Sequence, residues 1–522
     1  MVGSDGRRSL FKAAQWTGLR RIVQLAALAA FVMLFVWSRR GGWPASLVNA
    51  PMRLDPLAML AHLLASRTLL VGSAFGLVVV LLTLLLGRAW CGWLCPLGTI
   101  LDWLSFGSWR GKRDSGVPER WRGVKYGLLL TILLAATFGN LTLMVLDPLT
   151  ILFRTLSTAV WPALDQIVSA IEATLYRAPF LQVAVTAVDR LMRPVVLPYN
   201  PVFYRYALLY AGFFLGIIGL NLIAARFWCR YLCPLGALLG LLSKMGVVRR
   251  EVSDRCTSCD ACARVCPTGT IEIGRGYASD PSECTMCLEC AAVCPTDAIR
   301  FPARARAAGW RAYDPNRRHL LTALGATVAG IGLFKSSLIS SRDHPRLIRP
   351  PGARENDLLE KCIRCGECNR ACPTSAIQPA VTEAGLEGLW TPVLVPRAGY
   401  CDYSCNACGQ VCPVQAIPPL SLEEKRTRVV GQAYIDEDRC IAWADDTDCI
   451  VCEEMCPVPE KAIVLEETEV RSAEGETVVV QRPRVIRERC IGCGICEYKC
   501  PVNGEAAIRV FVPPPECGAT SF

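Results

Sequence analysis

Histidine is nearly missing from this 522-residue chain: His62, His319 and His344 are the only three. No C-x-x-C-H occurs, so a row of b-type or c-type haems would lack both axial ligands and covalent anchors, and no haem is expected. The short secreted framework in which many cysteines mean disulfides is absent too. Charge is sparse, at 20% against 52% hydrophobic residues, and mean hydropathy is +0.32. That balance excludes an ordinary soluble enzyme, places part of the chain in a membrane and leaves length for several domains.

Cysteine is what the chain has in excess, with 29 residues. From Cys256 onward they fall into quartets. Cys256, Cys259, Cys262 and Cys266 in "CTSCDACARVCP", and Cys284, Cys287, Cys290 and Cys294 in "CTMCLECAAVCP", follow C-x-x-C-x-x-C-x-x-x-C-P. Three thiolates on one tight loop hold three irons of a [4Fe-4S] cube, while the fourth cysteine points at the other cluster. Cys256, Cys259, Cys262 and Cys294 are therefore expected around one cluster, and Cys284, Cys287, Cys290 and Cys266 around the next. A zinc site is built from C-x-x-C pairs, and the third cysteine with Pro267 and Pro295 does not suit it. Four further quartets follow. Cys362, Cys365, Cys368 and Cys372, and Cys490, Cys493, Cys496 and Cys500, keep the same spacing. Cys401, Cys405, Cys408 and Cys412 insert one residue, and Cys440, Cys449, Cys452 and Cys456 insert a longer loop. Each quartet is followed by a small-residue turn and an Ile, as in "PTGTI" and "PVQAI", a repeated loop, helical turn and short strand. Six [4Fe-4S] clusters are expected. Cys517 is left over with no assigned role.

Near-continuous apolar runs occupy 22–37, 69–87, 126–146 and 206–225, and a shorter one 319–334. Their lengths suit bilayer-spanning helices. Segments 1–21 and 88–125 carry twelve Lys/Arg in 59 residues, whereas 38–68 and 147–205 carry nine in 90, so the former and the amino terminus are expected in the cytoplasm. "GRAWCGWLCPLGTILDWLS" and "ARFWCRYLCPLGALLGLLS" then close the second and fourth runs on that side as an internal repeat. Cys91, Cys95, Cys229 and Cys233 form a candidate redox or metal site, either one four-thiolate centre or two redox-active pairs, against the alternative of packed helix ends. Asp147, Asn140 and Asn221 are polar groups of the kind that mark quinol sites, and hydrogen-bonded helix contacts explain them as well.

On these motifs, residues 1–300 resemble the NapH-type membrane quinol dehydrogenase subunit and residues 317–522 its NapG/MauM-type ferredoxin partner, here as a fusion. The resemblance implies quinol as substrate, the quinone pool and a periplasmic redox partner or client enzyme as partners, and an oxidoreductase passing electrons through its clusters. Relatives serve periplasmic nitrate reduction, methylamine dehydrogenase maturation, nitrous oxide reduction and copper-oxidase assembly, so a maturation factor reducing a metal or cofactor precursor is the alternative function. By analogy with four-cluster subunits, the first outer quartet is expected to exchange its fourth ligand with the last and the second with the third. Cys362, Cys365 and Cys368 would then join Cys500, and Cys401, Cys405 and Cys408 would join Cys456.

The expected fold is an α-helical membrane bundle of four spans plus a fifth linking span, with α+β ferredoxin-like domains. Residues 1–245 would form the four-span domain, 246–305 a cytoplasmic two-cluster ferredoxin domain, 306–341 a linker with the fifth span, and 342–522 a periplasmic four-cluster domain. Arg317 and Arg318 before the fifth run resemble a twin-arginine export signal, or an ordinary positive flank. Residues 1–340 hold 36 Lys/Arg against 18 Asp/Glu, and residues 341–522 hold 20 against 28. A basic membrane half suits anionic lipid of a bacterial inner membrane, and an acidic outer half suits a partner with a basic patch. Nucleic-acid binding is not supported.

Overall fold

The computed structural model describes residues 5–38, 44–104, 117–193, 196–198, 202–303, 325, 344–381, 383–471 and 477–512. Arg317, Arg318, the fifth apolar run apart from residue 325, and Cys517 lie outside the described residues. The chain divides into two compact units that cut across the sequence-based boundaries. One contains 1–35, 46–155 and 209–332, so the first ferredoxin segment belongs with the apolar helices. The other contains 36–45, 156–208 and 333–522.

In the first unit, prolines start the helices where a missing N–H costs nothing. Pro56, Pro96, Pro148 and Pro234 open Pro56–Ser66, Pro96–Trp103, Pro148–Thr155 and Pro234–Ser243. Pro234–Ser243 packs on Gly123–Thr137 and on Gly76–Leu86, and Pro56–Ser66 also packs on Gly123–Thr137. Phe153 adds edge contacts to Phe31 and Phe35, with ring centres 6.3 and 5.1 Å apart. The outer faces are apolar: Leu81 is 58% and Leu215 63% exposed. Only Gln15–Trp37, among the described residues, is a helix long and apolar enough to cross a membrane. The other three runs give shorter helices. Gly87 ends Gly76–Leu86 at φ 65°, and Gly139 at φ 74° follows the end of Gly123–Thr137. The fourth run gives Ala207–Gly219 continued by a tighter turn through Leu222.

Residues 246–303 add two small antiparallel pairs, Glu251–Val252 with Ile299–Arg300 and Ile271–Glu272 with Ala278–Ser279. In the second unit, Ile377–Pro379 pairs with Pro392–Leu394 and Gln432–Ile435 with Ile508–Phe511. A longer antiparallel pair joins Ile463–Arg471 and Thr477–Val485. Its core interleaves aliphatic residues such as Ile377, Ile463 and Ile508 with cysteines. Helices Trp161–Leu175 and Gln182–Met192 share this unit, tied by Arg193 to Glu172 at 2.8 Å and to Asp189.

Candidate cluster sites and the paired cysteine motifs

Four of the six cysteine loops share one backbone device. The residues on either side of the second cysteine are left-handed: Ser258 and Asp260, Met286 and Leu288, Arg364 and Gly366, Gly492 and Gly494. Five of these eight are not glycine, and such strain persists where a functional site over-determines the backbone. The third cysteine then lies in a short helix, as in Ala261–Val265, Glu289–Ala292, Glu367–Ala371 and Ile495–Lys499. The helix ends by presenting the fourth cysteine to a neighbouring loop. Both loops with insertions lack the left-handed pair.

Site 1 is a cavity lined by Cys256, Cys259, Cys262 and Cys294, and site 2 one lined by Cys284, Cys287, Cys290 and Cys266. In the outer domain the pairing differs from the one the resemblance implied. Site 3 joins Cys362, Cys365 and Cys368 with Cys412, not Cys500. Site 4 brings Cys372, not Cys456, within electrostatic reach of Cys401, Cys405 and Cys408. Site 5 joins Cys440, Cys449 and Cys452 with Cys500, and site 6 joins Cys490, Cys493 and Cys496 with Cys456. Consecutive quartets therefore exchange ligands, because the helix of each packs on the helix of the next: Ala261–Val265 on Glu289–Ala292, Glu367–Ala371 on Ala407–Gln410, and Val451–Glu454 on Ile495–Lys499.

The sites fit a cubane better than a single ion. Each of five cavities is lined by four cysteines, three from one loop and the fourth from another. No three His, Cys, Asp or Glu among the described residues stand close enough to hold one metal ion. Burial pushes the thiols of Cys452 and Cys493 up to about 12, and that of Cys401 up to about 11. Sulfurs so placed become thiolates only beside a compensating positive charge, which bound iron supplies. Arg250, which lines both site 1 and site 2, favours the thiolates of Cys262 and Cys290, and buried Lys425 favours that of Cys401. Neither cation was singled out from sequence, since no local pattern distinguishes them.

The paired motifs meet. Each second cysteine caps a helix with its sulfur: Cys95 Sγ accepts from Gly98 N at 3.5 Å, and Cys233 Sγ from Gly236 N at 3.2 Å. Arg88 and Arg226, each three residues before its motif's first cysteine, reach across reciprocally. Arg226 donates to Cys91 O at 3.3 Å and grips Asp102 with Nε at 2.5 Å. Arg88 Nη2 lies 2.8 Å from where a Cβ on Gly236 would sit. Every pairing among Cys91, Cys95, Cys229 and Cys233 is within electrostatic reach, and burial pushes Cys229 up to about 11. The shared position of the two arginines in the repeat was a signal for this clasp.

Site 2 rests directly on these motifs. Trp93 Nε1 donates to Met286 O at 2.9 Å, and Arg88 to Ser282 O at 2.6 Å. Lys125, fully buried, holds Glu283 at 2.5 and 2.6 Å, and Arg20 holds Glu289 at 2.7 Å. A Cβ on Gly92 would lie 2.1 Å from Thr285 O, so only glycine allows this approach.

The polar groups named from sequence have local partners. Asn140 accepts from Thr142 N at 2.8 Å, and Asn221 donates to Leu101 O at 2.8 Å. Asp147 caps Pro148–Thr155 through Leu149 N at 2.9 Å and Thr150 N at 3.0 Å. It also shares a side-chain hydrogen bond with Asp55, the cap of Pro56–Ser66. Asp55 was missed, because nothing in its neighbourhood announces a partner 92 residues away.

Comparison with known proteins agrees on the chemistry. A 4Fe-4S binding domain model matches residues 68–115 and again 206–253, which bracket the two repeated motifs. A 4Fe-4S dicluster domain model matches 276–373, and a further 4Fe-4S binding domain model matches 251–272 and 483–504. The ferredoxin-type protein NapH of Haemophilus influenzae is 28% identical over 48% of this chain and 75% of its own length. The methylamine utilization ferredoxin-type protein MauN of Methylorubrum extorquens is 27% identical over 50% and 77%. MauM of the same organism is 42% identical over 17% of this chain and 42% of its own. No solved structure matches. The chain thus carries 4Fe-4S binding domains of an iron–sulfur electron-transfer protein, and it is similar to NapH and MauN over about half of its length and to MauM over a shorter stretch.

Proposed function

We propose that the protein is a membrane-bound electron conduit of the quinol dehydrogenase type, anchored in the inner membrane by four spans and a fifth linking span. It holds six [4Fe-4S] clusters, two on the cytoplasmic side and four in a periplasmic domain that serves a periplasmic redox partner. The apolar outer faces of the shorter helices support the multi-span reading, since a soluble protein rarely exposes such a surface. The observation that carries the proposal is the docking of site 2 on the paired motifs through Gly92, Trp93 and Arg88. It sets a cluster site against the ends of the apolar helices, where an electron leaving a lipid-soluble donor has to pass.

Clusters carry single electrons, so the bound groups would divide the two-electron oxidation of a quinol into two steps, releasing quinone and two protons. The chain's own residues do the rest. Gly92 and Trp93 seat the site 2 loop, Arg88 and Arg226 clasp the two motifs and offset negative charge, and Lys125 fixes the loop through Glu283.

Replacing Cys95 and Cys233 together by Ser tests this. The double variant should lose quinol-linked reduction of the clusters while keeping membrane insertion, iron content and reduction by dithionite. A double variant that is reduced by quinol at the wild-type rate defeats the role given to the motifs. Quinol inertness of the wild-type protein, with a client enzyme losing its cofactor in a deletion strain, favours the maturation function instead.

A further inference from the structure

We propose that the four outer sites form a single-file route for electrons that begins at site 3, beside Trp161, and ends at site 5. The proposal rests on the electron-conduit reading and gives that conduit an internal order.

The order follows from how the sites are joined. Sites 3 and 4 form one ligand-exchanged pair, and sites 5 and 6 another. The pairs meet between site 4 and site 6: Cys401 N donates to Cys493 O at 2.8 Å, so a ligand of one site is hydrogen-bonded to a ligand of the other. Tyr400 and Tyr498 stack beside that bond with ring centres 5.4 Å apart. Within the second pair, Cys496 of site 6 lies within electrostatic reach of Cys452 of site 5. The sequence of neighbours is therefore 3, 4, 6, 5, and differs from chain order because the last quartet docks inward and the third outward.

The two ends differ in surroundings. Site 3 is covered by residues from the segment between the third and fourth apolar runs. Tyr204 Oη donates to Asn369 O at 3.0 Å, and Arg370 stacks on Trp161 at 4.6 Å, both next to the ligand Cys368. Gln378 ties the same surface to Phe203 O at 2.9 Å. Site 5 opens outward: the inserted loop Ala444–Asp448 between its first two ligands is exposed, and Ile450 beside Cys449 is 47% exposed. The covered end suits entry of an electron, and the end with the exposed loop suits delivery to a partner.

Magnetic interaction between reduced clusters, which falls steeply with separation, reads the order without any turnover. In dithionite-reduced, full-length protein, pulsed EPR should find the coupling between sites 3 and 5 weakest of the six pairs, with each signal assigned by a single-site variant. A coupling between 3 and 5 stronger than that between 3 and 4, or between 6 and 5, overturns the order. Cys408→Ala should remove about four irons, isolate site 3 and leave the coupling of sites 6 and 5 unchanged. Persistent coupling of site 3 to site 6 in that variant also overturns it. If the substitution costs more than one site, the wild-type comparison decides alone. Chemical reduction bypasses quinol, so a quinol-inert protein leaves this test intact and counts only against the functional reading.

Discussion

Gly92→Ala is the smallest perturbation that should separate the site 2 loop from the paired motifs. The added methyl would stand 2.1 Å from Thr285 O and 3.2 Å from Thr285 C, and a backbone carbonyl cannot rotate away as a side-chain end can. Either the loop carrying Cys284, Cys287 and Cys290 or the Ala89–Trp93 helix has to move by about an ångström, and overpacking of this kind costs about 1–3 kcal/mol. The displacement strains the hydrogen bonds from Trp93 to Met286 O and from Arg88 to Ser282 O. Gly127→Ala is the matched control. Gly127 lies inside Gly123–Thr137 with nothing within 4 Å of the added methyl, so there the change should stabilise by about 0.5–1 kcal/mol through helix propensity. Thermal unfolding of the detergent-solubilised protein, with iron and sulfide analysis and the rate of quinol-linked reduction, compares the two. Gly92→Ala should unfold at lower temperature and reduce more slowly, while Gly127→Ala matches or exceeds the wild type. Equal behaviour of the two variants would show that the close approach at Gly92 neither holds the loop nor aids electron transfer.

Anaerobically purified protein should contain about 24 irons, four for each of six quartets, and about eight irons or abundant zinc would remove the six-cluster assignment. Lys125→Met should destabilise by about 3–5 kcal/mol, because it strips buried Glu283 of its nearest cation. Combining it with Glu283→Gln should restore most of the loss, and an unfolding series in which the double variant is as weak as the single one refutes the pairing. Burial and the facing Asp55 carboxyl hold the Asp147 carboxyl well above its usual range. The folded chain therefore keeps a proton that the unfolded chain gives up above about pH 4, and stability falls as pH rises by at most about 1.4 kcal/mol per unit. Asp147→Asn should flatten that decline between pH 5 and 8, and parallel unfolding profiles would contradict it.

Much of the chemistry was legible because ferredoxin ligation is written in local spacing. Three of four ligands in each site come from one loop, and the fourth comes from the adjacent loop, 32 residues beyond Cys262 in site 1 and 18 before Cys284 in site 2. The repeat around Cys91 and Cys229 was equally readable, including the arginines three residues ahead. The exchange of ligands in the outer domain was not, since it depends on which short helices pack together, and five-residue helices carry too little pattern to choose a partner. Helix lengths were overestimated for a different reason: hydropathy does not register that Gly87 or Gly139 turns the backbone left-handed inside or beside an apolar stretch. The grouping of 156–208 with the outer ferredoxin domain rests on single contacts such as Tyr204 with Asn369, which no sequence periodicity encodes.

Ligand exchange between consecutive quartets also sets a timetable for biosynthesis. Site 3 has its last sulfur once Cys412 has left the ribosome, and site 4 has all of its own by then, 88 residues before Cys500. Site 6 has its last sulfur at Cys496 and site 5 only at Cys500. Had the first quartet been closed by the last, three exposed thiols would have stood incomplete through most of the translation of the outer domain. The exchange actually adopted lets each half of that domain be filled and sealed as it emerges, which shortens the time during which oxygen or stray metals can reach unfinished sulfur.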